Sequence, residues 1–322
     1  MKNLIILIIL IFSYQGFSQI LPSMHGVHDK KGLGGGSGLG TRNFTNCSKT
    51  GREGPSQSDC NTAYASTDLN GEVSVSNGIQ TWIVPANATY TITAYGAQGG
   101  GTHGGLGAKI SGQFTLNAGD VIKILVGQKG NYLEKDASGG GGTFVTKSPH
   151  NNNSSIIVVA GGGGGSFVDN STSNGQSTTA GADGCCSQSN FSTSGGTDGN
   201  GGGNTGNSSL IGGAGFLTNG IGFGNSGTKS QSYLNGGVGA NNTWSGDTGF
   251  GGGFGGGGDA NRKHASTYAT GGGGGYSGGG LGYYFGNNTP TSGGGGGSYN
   301  NGSNTSNTAG NNSGHGKVTI TW

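Results

Sequence analysis

Blocks of consecutive glycine recur at Gly161 to Gly165, Gly251 to Gly253, Gly255 to Gly258, Gly271 to Gly275 and Gly293 to Gly297, and they constrain everything else this chain can fold into. Glycine loses more backbone freedom on folding than any other residue, so such runs stay flexible unless a specific structure compensates them. Here they are punctuated by Phe250, Phe254, Tyr276, Tyr283, Tyr284, Phe285 and Tyr299. A flexible Gly/Ser linker is poor in aromatic residues, so the expectation is an ordered segment. The conformation open to it is the left-handed helix with three residues per turn and a rise of about 3.1 Å. Its N–H and C=O groups point sideways and pair only between neighbours, so several runs must bundle. A collagen triple helix is not expected, because a Gly-X-Y period with proline is missing.

With 80 glycines in 322 residues and only 29% hydrophobic residues, an ordinary core cannot extend over the whole length. It must come from a minority of segments with the period of a strand. Val73 and Val75 alternate with polar residues, and Ile79 to Val84 runs apolar up to a turn at Pro85 and Asn87. Tyr90, Ile92 and Ala94 alternate with Thr89, Thr91 and Thr93. Further strands are expected at Ala108 to Leu116, Val121 to Val126, Thr143 to Thr146 and Ile156 to Ala160. The last, Lys317 to Trp322, puts Val318, Ile320 and Trp322 on one face. No stretch carries a helical period. The architecture that follows is all-β: a jelly-roll-like sandwich from strands at about 72–160 and 317–322, with a bundle of polyglycine II helices inserted at about 161–299.

Residues 1–18 combine Lys2, an apolar run from Leu4 to Phe12 and small residues before Gln19, which reads as a secretory signal peptide. Residues 19–43 read as a flexible linker, and 44–322 as the glycine-rich domain. No membrane span is expected in the mature chain. A net charge of +2 with 9% charged residues gives no footprint for nucleic acid. Four cysteines in an exported chain point to disulfides. Cys47 and Cys60 enclose a loop with Gly51, Gly54 and Pro55 that suits a bridge; Cys185 and Cys186 are adjacent, and their pairing stays open.

Motifs with chemistry are sparse. A dinucleotide fingerprint needs a strand before its glycines and a helix after them, and no helix is expected to follow. A P-loop ends in G-K followed by Ser or Thr, whereas Gly316 and Lys317 precede Val318. The six histidines lack metal-ligand spacing, and Asp120, Asp169, Asp183, Asp198, Asp247 and Asp259 sit largely in turns beside Gly or Ala. No catalytic residue, cofactor or metal is assigned. The aromatic residues among the glycines either plug gaps in the bundle or form a contact surface. Trp244, in a polar loop, together with Tyr283 and Tyr284, are the partner-binding candidates.

Phe44, Thr45, Asn46, Cys47, then Gly54, Pro55, Cys60, Asn61, Ala63, Tyr64, then Gly78, Ile79, Gln80, Trp82, Val84, Pro85 and Tyr95 to Ala97 follow one another in a distinctive order. With Ile124 to Gln128, Ile156 to Gly164, and Gly314 to Gly316 with Val318 and Ile320, this stretch resembles the extracellular glycine-rich domain of the anaplastic lymphoma kinase and leukocyte tyrosine kinase receptors. The resemblance implies a tumour-necrosis-factor-like sandwich carrying polyglycine helices, supports the Cys47–Cys60 bridge, and implies protein ligands outside the cell. Kinase activity is not carried over, since no membrane span or kinase follows the domain; the short signal and bare domain resemble bacterial exported members of the group. The expected function is a secreted or cell-surface, non-enzymatic module binding an extracellular protein or glycan. A structural matrix role is the alternative, as is ice binding, which a flat face of repeated threonine favours.

Overall fold

The computed structural model describes residues 40–322, apart from 134, 186–193, 204–210, 223–226, 243–250, 261–267 and 285–289. In chain order the strands are β1 (Thr41–Phe44), β2 (Ser74–Ser76), β3 (Ile79–Ile83), β4 (Ala88–Tyr95), β5 (Gly107–Leu116), β6 (Val121–Leu125), β7 (Tyr132–Leu133), β8 (Asp136–Ala137), β9 (Thr143–Lys147) and β10 (Ile156–Ala160). They continue with β11 (Gly227–Thr228), β12 (Asn241–Asn242), β13 (Tyr268–Thr270), β14 (Gly282–Tyr284), β15 (Tyr299–Asn300), β16 (Ser303–Asn312) and β17 (Lys317–Thr321). Two antiparallel sheets dominate, in the orders β1-β17-β4-β5-β16 and β15-β10-β9-β6-β3-β2.

Alternation in the sequence sets what each sheet buries. On the first sheet Phe44, Tyr90, Ile92, Ala94, Ile110, Val318 and Ile320 point inward; on the second, Trp82, Ile122, Ile124, Val145 and Val158 meet them in one core. Trp82 stands edge-on to both Phe44 and Tyr90, with ring centroids 6.0 and 6.3 Å apart. Trp322 is only partly buried, against Tyr90 at 5.2 Å, rather than enclosed with Val318 and Ile320. The strands β9 and β10 are buried on both faces. Their other side, Phe144, Ile156 and Val159, joins Leu125 against Phe216, Tyr233, Phe254 and Tyr276 from the glycine-rich segment. The second sheet is therefore a middle layer, and these four aromatics fasten the glycine-rich part to it.

The glycine runs are ordered through each other's backbones. In the run 161–165, Gly162 donates to Gly274 and accepts from Gly296; Gly163 donates to Ala97 and accepts from Gly140; Gly164 donates to Ser173 and accepts from Gly105. Gly165 returns to the first pair of runs, donating to Gly271 and accepting from Gly293. The same return after three residues recurs in 293–297, where Gly293 and Gly296 both face 161–165 and Gly294 and Gly297 both face 277–280. The approach leaves no room for side chains: a Cβ on Gly139, Gly163 or Gly279 would land in the carbonyl of Gly272, Gly105 or Gly294, far inside the 3.0 Å that real Cβ atoms keep.

Three sequence expectations need correction. A helix does form, α1 (Gln57–Tyr64), whose N-terminus is capped reciprocally by Ser56 and Asp59. It is one turn too short to show a period, burying only Cys60 and Tyr64. Gln57 at its start gives its side-chain oxygen to the Val75 N–H (2.7 Å) and its amide N–H to the Val73 carbonyl (3.0 Å), so the helix closes the free edge of β2. Order begins before Phe44: β1 pairs Thr41 with Thr321 and Asn43 with Thr319, inside the stretch 19–43 expected as linker. The third is β16, a ten-residue strand of Ser, Asn, Thr, Ala and Gly on the edge of the first sheet, where no strand was expected. The signal peptide assigned to 1–18 lies outside the described residues.

Candidate functional site

Loop chemistry builds a continuous groove along the seam between the second sheet and the glycine-rich segment. Its first wall is the loop after Cys47. The Cys47–Cys60 disulfide, closing 13 residues, ties this loop to α1, and Asn46 Nδ2 donates to the Lys49 carbonyl at 2.5 Å. The second wall is the β2–β3 hairpin turn. Asn77 and Gly78 have φ of 49° and 78°, the double left-handed geometry that an Asn-Gly pair adopts most readily.

The third wall is the segment 231–238. Ser232 caps a single 3-10 turn at Tyr233–Asn235, and Gly236 and Gly237, at φ 101° and 69°, reverse the chain. Tyr233 anchors the turn: its ring stacks on Phe216 at 5.0 Å and 11°, and its hydroxyl lies 2.7 Å from Thr146 Oγ1. Burial pushes its phenol up to about 12. Gly54 and Gly78 pack Cα to Cα over the Phe254 ring, so the floor is backbone on an aromatic plate.

Three pockets follow one another along this seam. The largest, about 800 Å³, is lined by Lys49, Ser56, Asp59, Asn77, Gln231 and Asn235 among others. It shares Asn77, Asn235 and Gly236 with a second of about 520 Å³, where Ile79, Lys123, His150 and Leu234 also lie. It shares Lys49 and Glu53 with a third of about 220 Å³, reaching Asn131 and Asn241. The size suits a ligand several groups long. Asn77, Gln231, Asn131 and Asn241 spend no side-chain hydrogen bond among the described residues. Each amide offers donors and an acceptor together, so the groove can pair with amides or hydroxyls of either polarity. The N–H and hydroxyl of Ser56, with Lys49 adding to them, hold the Asp59 carboxyl below its ordinary range. Desolvation, and then Lys123, lower His150, whose Nδ1 is 3.0 Å from Thr146 Oγ1.

Of the sequence-predicted residues that are described, the Cys47–Cys60 pair adjoins the groove and Tyr283 lies apart from it. Cys47 and Cys60 are bonded as expected and brace the groove; Cys185 is also disulfide-bonded, while Cys186 lies outside the described residues. Tyr283 packs against Ala260, Ala269 and Leu281, and burial raises its phenol. The Tyr284 backbone pairs with Tyr268, and its side chain, like all of Trp244, lies outside the described residues. The groove residues escaped notice because their three walls are remote in sequence; the Asn77-Gly78 pair between alternating runs was the one local signal. Among the described residues, no three His, Cys, Asp or Glu side chains cluster to hold a metal, and no helix is long and apolar enough to cross a membrane.

No family model matches the chain. The leukocyte tyrosine kinase receptor of Mus musculus is similar to it, 40% identical over 103 residues. That alignment covers 29% of this chain and 12% of the receptor, so the chain corresponds to a small part of that relative's length.

Proposed function

We propose that this chain is an exported, non-enzymatic recognition module that holds an extracellular protein or glycan in the seam groove. The observation that carries the reading is the groove itself: a continuous, braced depression whose amides are unspent. The partial similarity to a receptor supports a role in extracellular recognition, and bridged cysteines suit an oxidising compartment. The apolar segment at 4–12 accords with export.

In this reading the two sheets form a jelly-roll sandwich and the glycine runs are polyglycine II helices. The return to the same neighbours after three residues supports that assignment, since such helices have three residues per turn. The rigid bundle then serves as a buttress that sets the 231–238 wall against the sandwich.

Arrays of extracellular glycans and proteins, probed with the purified chain and with an N77A/Q231A variant of equal thermal stability, test the assignment. Binding to one class that the variant loses is the expected result. Binding that survives the double substitution moves the site away from the groove, and a folded chain that binds nothing on either array removes the recognition role.

A further inference from the structure

The outer face of the first sheet carries a second surface, with its own chemistry. Strand register aligns its side chains in rows: Thr41, Thr321, Thr91, Gln113 and Ser303, then Asn43, Thr319, Thr93, Ser111 and Ser306. The next row is Lys317, Tyr95, Lys109 and Thr308. All of these are exposed or half-buried, and those on β1, β4, β5 and β17 alternate with the core residues of the same strands. A polar outer face is ordinary for an antiparallel sheet. The charge is what sets this one apart. None of the named residues is acidic, and the two cations stand on either side of one ring.

Lys317 and Lys109 both lie opposite Tyr95, and their ammonium groups sit 4.6 and 5.9 Å from its ring centroid. The ring quadrupole holds them there but does not neutralise them. Neither makes an ion pair among the described residues. Two like charges are thus kept close with no ion-pair partner among the described residues. The adjoining rows are hydroxyls and amides: Thr93 Oγ1 and Ser111 Oγ lie 2.8 Å apart, and Thr319 Oγ1 donates to Asn43 Oδ1 at 2.9 Å, leaving lone pairs free toward solvent.

We infer that this face binds an anionic polysaccharide, with Lys109 and Lys317 taking its sulfate or carboxylate groups and the threonine and serine rows pairing with its hydroxyls. Five strands at about 4.8 Å spacing give a track about 20 Å wide, enough for several sugar units. A protein partner is disfavoured because the face offers no apolar centre for an interface core. Ice is disfavoured although threonine rows are present: adjacent strands twist by about 20–25°, so five of them give no flat plane, and two strongly hydrated ammoniums interrupt the rows.

Native gels cast with dextran sulfate, with a polyuronate, or with neutral dextran test the inference on the full chain. Retardation by one or both anionic polymers and not by neutral dextran is expected, with the two anionic arms telling sulfate from carboxylate. A K109Q/K317Q variant is expected to lose roughly five- to tenfold in apparent affinity, the scale of two exposed ion pairs. K147Q, at the exposed end of β9 and outside the lining of the three seam pockets, is expected to change nothing, so a loss in K109Q/K317Q is not the effect of removing charge in general. Added salt should weaken retardation of the unaltered chain. Equal retardation of wild type and K109Q/K317Q, equal retardation by neutral dextran, or thermal hysteresis in place of polymer binding overturns the inference.

Discussion

Replacing Gly163 with alanine is the sharpest perturbation of the glycine bundle. The new Cβ would be driven into the Gly105 carbonyl, backbone that cannot rotate away as a side chain could. Relief requires the run 161–165 to move, and Gly163 is tied on both sides, donating to Ala97 and accepting from Gly140 at 2.8 Å each. Leaving two buried backbone groups poorly paired costs about 1–3 kcal/mol apiece, and overpacking adds about the same again. An overall loss near 4 kcal/mol, or roughly 10 °C in midpoint for a domain of this size, is the expected outcome. Gly119 supplies the control. A Cβ there meets nothing within 4 Å, and only its φ of 90° opposes alanine, a strain of about 1–2 kcal/mol. Thermal and urea unfolding of G163A and G119A beside the wild type measure both. If G163A unfolds within a degree of wild type, or no lower than G119A, close backbone packing is not what orders the runs.

Two further outcomes are expected. Replacing Cys47 and Cys60 together by serine opens a loop of 13 residues and should cost about 3 kcal/mol, read as a lowered urea midpoint, with the seam pockets losing their first wall. Tyr233 titrates at about 12 in the fold against 10.0 in the unfolded chain, so its contribution to stability is whole below pH 10 and disappears as pH climbs through about 12. The stability gap between wild type and Y233F, about 1–2 kcal/mol near neutral pH from the Thr146 hydrogen bond, should therefore close in strong alkali, as paired urea melts would record.

Much of the sheet framework was legible because alternation is a direct imprint of one buried face. Tyr90, Ile92 and Ala94, or Val318 and Ile320, could hardly be arranged otherwise. The edge strand β16 left no such imprint, since Ser303–Asn312 is solvated on both faces and joins β5 through its backbone ladder and polar side chains, Asn304 Nδ2 donating to Gln113 Oε1 and Ser303 Oγ to the Gln113 carbonyl. The α1 helix was invisible for the opposite reason, being fixed by a cap and a disulfide rather than by an apolar stripe. Of the aromatics among the glycines, Phe254 and Tyr276 are buried in the layer that joins the runs to the middle sheet. The groove left a single local trace, the Asn77-Gly78 turn pair. Lys49, Asn77 and Gln231 come together across walls remote in sequence, the last of them held by Tyr233, whose ring lies 5.2 Å from that of Phe144, more than 80 residues away along the chain.

The three-residue rotation of hydrogen bonds carries a consequence for how the bundle can be assembled and altered. Repeat proteins touch only the repeats before and after them, so units can be removed or added at an end with graded effect. Here each run is stitched to several others that lie far away in sequence: 161–165 alone reaches 97, 105, 140, 173, 271, 274, 293 and 296. Among the described residues no run stands as a terminal unit that could be peeled off. Formation must wait for distant parts of the chain to be present together, which predicts slow, all-or-none acquisition of protection and makes the bundle indivisible in truncation.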